Sequence, residues 1–169
     1  MEKEIVIFQT LDAGTVAKSS VYALFSGKFK YLLIFIILTI VLNQIVLLSM
    51  DDNLELTDFT FLISLPLVIT FIWFFLKKSF KKSYSKNSRH FKNISYTLDN
   101  NRFKKEGEGI VLTYKWEDLK KIKQTRDWYL IYLTGMYAFV IDKSKLEATQ
   151  ISELTTLFNS LKNKIKIVN

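Results

Sequence analysis

Residues 31–50 read YLLIFIILTIVLNQIVLLSM, a run of 20 residues with no charged side chain. As an α-helix this run would be about 30 Å long, which matches the hydrocarbon core of a bilayer. A second uncharged run of 18 residues, FTFLISLPLVITFIWFFL, occupies residues 59–76. It would extend about 27 Å as a helix. The two runs predict a transmembrane hairpin, with spans at about 31–50 and 59–76 and an outer loop at 51–58.

The residues that flank the two runs predict how the hairpin is oriented. Lys28 and Lys30 precede the first run, whereas the loop at 51–58 contains four acidic residues and no basic one. Seven basic residues and no acidic residue follow the second run, namely Lys77, Lys78, Lys81, Lys82, Lys86, Arg89 and Lys92. Cytoplasmic flanks are enriched in lysine and arginine. We therefore expect a multi-pass protein of the bacterial inner (cytoplasmic) membrane with both termini in the cytoplasm.

The basic stretch at 77–92 has two compatible interpretations. It fixes the topology of the hairpin, and it attracts anionic lipid, to which each lysine near the surface contributes about 1 kcal/mol. The net charge of the whole chain is +8, and this stretch next to the membrane contains seven of its basic residues. That location argues against nucleic acid as a partner and makes the lipid bilayer the expected one.

Polar residues interrupt both apolar runs. Asn43 and Gln44 lie in the first run and Pro66 in the second. Amide side chains inside a membrane commonly bond to a neighbouring helix. We expect Asn43 or Gln44 to make an interhelical polar contact or to lie near the outer interface. A transport role would need more than two spans or an oligomer.

The composition excludes many classes of enzyme. The chain has no cysteine, and His90 is its single histidine. Disulfides, thiolate metal sites and cysteine nucleophiles are therefore excluded, together with catalytic triads and histidine-based zinc sites. Glu117 and Asp118 are adjacent and would point in different directions, which makes them a poor acid–base pair. The sequence predicts no catalytic residue, no cofactor and no metal, and we expect a protein that is not an enzyme.

Short alternating segments replace the apolar runs after residue 93. Alternation of this kind predicts β-strands, joined here by turns at Asn100-Asn101, at 106–109 and at Thr134-Gly135. In the third segment four side chains share one face: Ile110, Leu112, Tyr114 and Trp116. The predicted strands are Ile94–Leu98, Arg102–Lys105, Ile110–Trp116, Lys120–Thr125, Trp128–Leu133 and Met136–Ile141.

A helix is predicted to end the chain. Its apolar stripe has the i, i+3, i+4, i+7 spacing and consists of Ile151, Leu154, Leu157, Phe158, Leu161 and Ile165. Ser144 with Glu147 would form a capping box, or Thr149 would cap a later start. Three lysines, Lys162, Lys164 and Lys166, fall in its last turns. We expect the stripe to pack on the sheet, with a coiled-coil face as the alternative.

The first 30 residues are predicted to lie on the same side of the membrane as the sheet. Ile5, Val6, Ile7 and Phe8 form a strand pattern, and we expect residues 4–9 to pair with the sheet. Residues 12–27 predict a helix that leads into the first span or lies on the membrane. The chain thus divides into an N-terminal strand and amphipathic helix (1–30), a hairpin (31–76), a basic linker (77–92) and a cytoplasmic domain (93–169).

Three segments of the cytoplasmic domain stand out, namely YKWEDLKKI at 114–122, TRDWYLIY at 125–132 and AFVIDK at 138–143. Together they resemble the YcxB-like family of bacterial membrane proteins. Asp142 stands where that family often has a proline. The resemblance implies two adjacent spans followed by a domain related to the pleckstrin-homology (PH) barrel. The fold class is then α+β, with the hairpin followed by a PH-like antiparallel barrel or sheet that the C-terminal helix caps.

Three side chains of this domain have alternative roles. Trp116 and Trp128 are expected to pack in the core, because large aromatic residues are mostly buried. Lys143 would contact a phosphate if the domain binds lipid headgroups, as some PH relatives do. Otherwise Lys143 is a solvated lysine at a strand end.

Three classes of function remain open at this stage. In the first, the protein is a non-enzymatic membrane anchor whose PH-like domain binds a protein partner or the lipid surface. In the second, it is an immunity protein that neutralises a bacterial toxin at the membrane. The third, an enzyme or transporter, lacks the ionisable groups that such work needs. Free sheet edges make a homo-oligomer an additional expectation.

Overall fold

The computed structural model describes residues 4–26, 29–50, 60–86, 88–134 and 137–168, and within them the side chains other than those of 47, 48, 50 and 60–63. The predicted loop at 51–58 lies outside these residues, as does half of the predicted turn at Thr134-Gly135. Four helices are present within the described ranges: α1 (Ala13–Phe25), α2 (Phe29–Met50), α3 (Thr60–Lys86) and α4 (Ala148–Ser160). Eight strands accompany them: β1 (Ile5–Gln9), β2 (Ile94–Leu98), β3 (Arg102–Gly107), β4 (Ile110–Lys115), β5 (Lys121–Gln124), β6 (Trp128–Tyr132), β7 (Ala138–Asp142) and β8 (Lys166–Val168).

Helix α2 carries the first apolar run. In the described part of the chain one helix is long and apolar enough to cross a membrane, over Phe29–Val46, and none of that window is buried. Helix α3 also exposes large apolar side chains, among them Leu67, Phe71 and Phe74. The predicted second span begins at residue 59, which is outside the described residues.

The N-terminal strand is part of the first sheet. This sheet has the order β1-β2-β3-β4, and all its pairs are antiparallel. Ile5 lies opposite Leu98, and Gln9 lies opposite Ile94. The pairing of residues 4–9 with the sheet is thereby confirmed. Alternate residues of β1 are buried, as expected for a strand with one covered face.

The second sheet contains a strand that the sequence did not predict. Its order is β7-β6-β5-β8, and β8 runs parallel to β5 with Ile167 opposite Ile122. The prediction that the final helix extends through Lys162, Lys164 and Lys166 is wrong. Helix α4 ends at Ser160, a 3₁₀ turn covers Leu161–Asn163, and Lys166 begins β8. The β-branched residues 165, 167 and 168 favour this strand over a longer helix.

The start of α4 also differs from the prediction. Glu147 is the N-cap residue, and its backbone N–H donates to Oε1 of Gln150 at 3.1 Å. Ser144 does not cap the helix, because its hydroxyl donates to Oδ1 of Asp142 at 2.8 Å. Thr149 lies inside the first turn. The capping box is therefore shifted by three residues along the chain.

The hairpin of β3 and β4 is longer than predicted. Strand β3 continues to Gly107, and the turn is confined to Glu108 and Gly109. Gly109 has φ +72°, a left-handed conformation that glycine adopts without strain. The shared face of β4 is confirmed, since Ile110, Leu112 and Tyr114 alternate with exposed residues.

The core lies between the two sheets and is closed by α4. It includes Trp116, Tyr129 and Phe158, all with at most 1% exposure, and Phe158 packs edge-on against both rings. Five residues of the predicted stripe are buried in this core, Leu154, Leu157 and Phe158 in α4 and Leu161 and Ile165 after it, whereas Ile151 is only half-buried. The described chain is therefore an α+β protein with two mainly antiparallel sheets and one apolar helix of membrane-spanning length.

Candidate lipid-binding site

Helix α1 connects the sheets to the two long helices. Asp12 caps it, because its Oδ1 accepts from the backbone N–H groups of Gly14 at 2.7 Å and Thr15 at 3.0 Å. Val16, Ala17 and Val21 form its buried face. The helix packs on α3, on α2 and on β7. The hydroxyl of Ser26, just after α1, also bonds to that of Tyr132 in β6. These contacts fix where the sheets lie relative to α2 and α3.

An apolar groove lies where α1, α2, α3 and β6 meet. Its volume is about 460 Å³. Its walls are mainly aromatic and aliphatic and include Tyr22, Phe25, Leu33, Ile72, Trp73 and Trp128. Two charged side chains, Lys18 of α1 and Lys77 of α3, also line it. A pocket with apolar walls and a few charged groups is typical of sites for amphipathic ligands. We call it the apolar groove.

Lysine ammonium groups lie over the aromatic rings of this groove. Nζ of Lys77 is 4.9 Å from the ring centroid of Trp73, and Nζ of Lys123 is 5.0 Å from that of Tyr22. Tyr22 in turn packs on Trp128, with 6.0 Å between ring centroids. Cation–π contacts of this kind are worth about 0.5–1 kcal/mol at exposed sites. They hold positive charge beside the apolar walls.

A polar hollow adjoins the apolar groove. It has a volume of about 570 Å³ and is lined by Thr15, Lys18, Arg126, Asp127, Trp128, Asp142, Lys143 and Ser144. Lys18 and Trp128 line both spaces. Three basic residues face two acidic ones in the hollow, and the carboxylate of Asp142 already accepts from Ser144. Lys18 and Trp128 therefore form the border between the apolar groove and the polar hollow.

Lys143 is held in place at the polar hollow. It is half-buried, its Nζ donates to the backbone oxygen of Thr125, and the ammonium is 4.3 Å from the ring centroid of Tyr129. Burial lowers the pKa of Lys143, and the nearby Asp127 opposes that shift. The two roles suggested by the sequence, a phosphate contact or a solvated lysine, both remain predictions.

A family model described as YcxB-like protein matches residues 98–158. This segment is similar to the YcxB-like family, and we call it the YcxB-like segment. It extends from the last residue of β2 into α4 and contains Arg126, Trp128 and Lys143. The resemblance seen in residues 114–143 is thereby confirmed. None of the curated proteins matches the chain, and none of the solved structures does.

The YcxB-like segment supplies only part of the site. It contributes Trp128, Arg126 and Lys143, whereas Lys18 comes from α1 and Lys77 from α3. Sequence patterns pointed to Lys77 and Lys143 but missed Lys18 and Lys123. Lys18 lies in an amphipathic helix pattern and Lys123 in a strand pattern, and lysines at such positions are common on the surface of any protein. Only the packing of α1 against α3 and β6 brings them to the groove.

Positive charge accumulates around the start of α2. Burial lowers the pKa of Lys121, and four neighbouring lysines, Lys123, Lys166, Lys120 and Lys30, lower it further by repulsion. These lysines come from the YcxB-like segment, from β8 and from the start of α2. The side of the fold that carries the apolar helices is thus strongly basic.

The predicted basic stretch lies on α3 and the turn after it. Lys77 lines the apolar groove, and the other six residues are exposed: Lys78, Lys81, Lys82, Lys86, Arg89 and Lys92. In α2, Asn43 is exposed and Gln44 half-buried, and their interhelical contact stays a prediction.

The two tryptophans predicted to be core residues differ in environment. Trp116 is fully buried, and its Nε1 donates to the backbone oxygen of Asp99 at 2.8 Å. Trp128 is only half-buried and lines both the groove and the hollow. The core prediction is therefore confirmed for Trp116 and holds only in part for Trp128. Among the described side chains no group of three His, Asp or Glu residues is placed to hold a metal ion.

Proposed function

We propose that this protein is a non-enzymatic membrane anchor of the bacterial inner membrane that binds an anionic phospholipid. In this proposal α2 and α3 form a transmembrane hairpin, and the PH-like domain lies in the cytoplasm with both termini. The observation that carries the proposal is the junction of the apolar groove with the polar hollow at Lys18 and Trp128. A phospholipid has the same division into an apolar and an anionic part.

The apolar groove suits an acyl chain. Leu33 and Ile69 line it from the same two helices whose apolar side chains are exposed further along. Lys30 and Lys77 lie at the ends of the two apolar runs, at the level where lysines reach towards lipid headgroups. An acyl chain that enters the groove would therefore remain close to the bilayer.

The polar hollow suits a phosphate group. Lys18, Arg126 and Lys143 converge on it, and arginine and lysine are the usual partners of phosphate oxygens. Asp127 reduces the positive potential there, so we expect recognition of a single anionic headgroup rather than of a highly charged one. Lysines at a membrane surface contribute about 1 kcal/mol each to this attraction.

Tryptophan fluorescence tests the proposal on the full-length protein. The protein is placed in nanodiscs of phosphatidylcholine that contain phosphatidylglycerol, with bromine on the acyl chains of one lipid or the other. Trp73 and Trp128 line the groove, whereas Trp116 is buried and provides an unquenched background. We expect brominated phosphatidylglycerol to quench more strongly than brominated phosphatidylcholine.

Matched variants locate the binding. Lys18→Gln and Lys77→Gln should remove the preference for the anionic lipid, while Lys162→Gln, which alters an exposed lysine beyond α4, should preserve it. Equal quenching by both lipids, or a preference that survives Lys18→Gln, would contradict the proposed function.

The absence of cysteine allows a clean test of the hairpin. Asn53→Cys places one thiol in the predicted outer loop, and Lys162→Cys places one beyond α4. In intact cells a membrane-impermeant maleimide should label the first variant and not the second. Labelling of both, or of neither, would argue against the proposed topology.

A further inference from the structure

A second cavity lies on the other side of α1, between that helix and the sheets. Its volume is about 320 Å³. The walls come from α1, the end of α3, the following 3₁₀ turn and the strands β2, β3 and β7, and they are mainly apolar and aromatic. Val16, Ala23 and Phe139 are representative wall residues. The cavity shares no lining residue with the apolar groove.

One charged side chain, Lys105 of β3, lines this cavity. Lys105 is only 7% exposed. Its Nζ lies 5.6 Å from the ring centroid of Phe91 and 5.7 Å from that of Phe139, and both rings are cavity walls. Among the described residues none forms an ion pair or hydrogen bond with this ammonium group. A charge that is mostly removed from water and has no partner in the protein is costly, so it marks a place where a counter-ion would be favoured.

The hydroxyl groups around the cavity are largely committed to the backbone. Tyr84 donates to the carbonyl oxygen of Leu11 at 2.9 Å, and Tyr96 donates to that of Val140 at 3.1 Å. Ser19 donates to the carbonyl oxygen of Thr15 at 2.7 Å. These three hydroxyl groups are thus already paired with the backbone, and the ammonium of Lys105 faces the cavity.

We propose that this cavity binds an alkyl carboxylate, with the carboxylate at Lys105 and the chain against the apolar walls. A ligand with one negative charge would neutralise the single cation, and a hydrocarbon chain would pack against the apolar walls. The volume is at the lower end of the range of about 300–1,000 Å³ seen for ligand pockets, which fits a single chain of medium length. A two-chain phospholipid requires the apolar groove instead, so the two sites take different ligands.

The protonation of Lys105 is consistent with a bound carboxylate. Burial lowers the pKa of Lys105, and a bound carboxylate would favour the charged form again. The ammonium–carboxylate hydrogen bond formed in the cavity would be charge-assisted, which makes it stronger than a bond between neutral groups.

The test uses decanoate labelled with carbon-13 at the carboxyl carbon and the full-length protein in phosphatidylcholine nanodiscs. Binding is followed by the carboxyl resonance, with empty nanodiscs as the reference for partition into lipid. We expect a separate bound resonance with the wild-type protein. Lys105→Met should weaken the affinity about tenfold or more, which corresponds to loss of one charge-assisted bond. Lys104→Met is the matched control, because Lys104 pairs with Glu106 and does not line the cavity.

A second variant tests the cavity without changing the cation. Ser20→Leu places an apolar side chain into the cavity wall, and it should also abolish the bound resonance. Lys18→Gln alters the phospholipid site alone and should leave decanoate binding unchanged, so failure of one proposal is distinguishable from failure of the other. A signal identical to that of empty nanodiscs, or equal affinity in Lys105→Met and wild type, would overturn the assignment.

Discussion

The side-chain amide of Gln9 joins the two sheets through Val140. Its Nε2 donates to the carbonyl oxygen of Val140 at 3.0 Å, and its Oε1 accepts from the backbone N–H of Asp142, also at 3.0 Å. Gln9 is the last residue of β1, and its two backbone partners, the carbonyl of Val140 and the N–H of Asp142, both belong to β7. One amide therefore replaces the backbone ladder between two edge strands that belong to different sheets.

Gln9→Leu should destabilise the protein by about 1–3 kcal/mol. The substitution keeps the side-chain size but leaves the buried N–H of Asp142 in β7 without a partner, which costs about 1–3 kcal/mol, whereas the carbonyl of Val140 still accepts from the Tyr96 hydroxyl. Gln9 itself is only 6% exposed, so water does not readily take its place. Urea unfolding of the full-length protein in detergent micelles measures the change. Gln124→Leu, a half-exposed residue of β5, is the control, and equal stability of the two variants would contradict this role of Gln9.

The strand that contains Gln9 was predictable, but its bridging role was not. Alternation in residues 5–8 gave β1, and alternation after residue 93 gave the strands from β2 to β7 to within a few residues. The partners of Gln9 are 131 and 133 positions away in the chain. Local periodicity carries no information on such distances. For the same reason local periodicity assigned the last residues to α4, because it cannot show that they pair with β5.

Asp12→Ala should weaken the start of α1 by about 0.5–2 kcal/mol, the usual cost of losing an N-cap. The carboxylate accepts from two backbone N–H groups and, through Oδ2, from the hydroxyl of Thr15 at 2.7 Å. Gly14 leaves room for this cap, since a Cβ there would lie 2.9 Å from Oδ1. Asp118→Ala, an exposed acidic residue, is the control. Thermal unfolding compares the two variants.

The contribution of Asp12 should also depend on pH. Hydrogen bonds, chiefly with the Thr15 side chain, lower the pKa of Asp12 below its usual value of 3.8. The stabilisation is therefore complete above pH 3.8 and is lost as the pH falls through the lower pKa of the folded protein. The difference in melting temperature between wild type and Asp12→Ala should shrink below about pH 4. A difference that is constant down to pH 2 would contradict a charged cap.

Lys105→Met should make the ligand-free protein more stable, by about 1–2 kcal/mol, because it removes a buried charge and keeps an apolar side chain of similar length. Burial lowers the pKa of Lys105 from its usual value of 10.5. Between the lowered pKa and 10.5 the unfolded chain holds a proton that the folded protein lacks, so wild-type stability rises with pH in that window. The advantage of Lys105→Met should accordingly decrease as the pH approaches 10.5.

Other titratable groups around the Lys105 cavity should not obscure this trend. Burial raises the pKa values of Tyr96 and Tyr137, so both phenols stay protonated in the lower part of the window. Lys104→Met is again the control, since its half-exposed partner Glu106 makes an ion pair of the kind worth about 0–1 kcal/mol. A destabilised Lys105→Met variant would show that Lys105 has a compensating partner.

The lysines that form the sites were predictable only where they cluster in sequence. The stretch at 77–92 is conspicuous because seven basic residues occur without an acidic one. Lys18 and Lys105 are single lysines in amphipathic patterns, where a lysine normally faces water. Lys105 is buried and Lys18 lies beside other charged residues because α1 covers the sheets on one side and contacts α3 on the other. The one local signal for Lys105 is that it lies two residues after Phe103 and so shares a strand face with a large apolar side chain.

Lys143→Met should cost about 1–2 kcal/mol of stability even without lipid. The ammonium of Lys143, the residue after β7, donates to the Thr125 carbonyl in the loop before β6 and lies over the Tyr129 ring in β6. A hydrogen bond to a charged group and a cation–π contact together have about this value. Lys145→Met, two residues further on and exposed, should be neutral. Equal unfolding midpoints for the two variants would contradict this role and would leave a lipid headgroup as the main partner of Lys143. A loss of stability in Lys143→Met alone would show that the protein holds this lysine in place before any lipid binds.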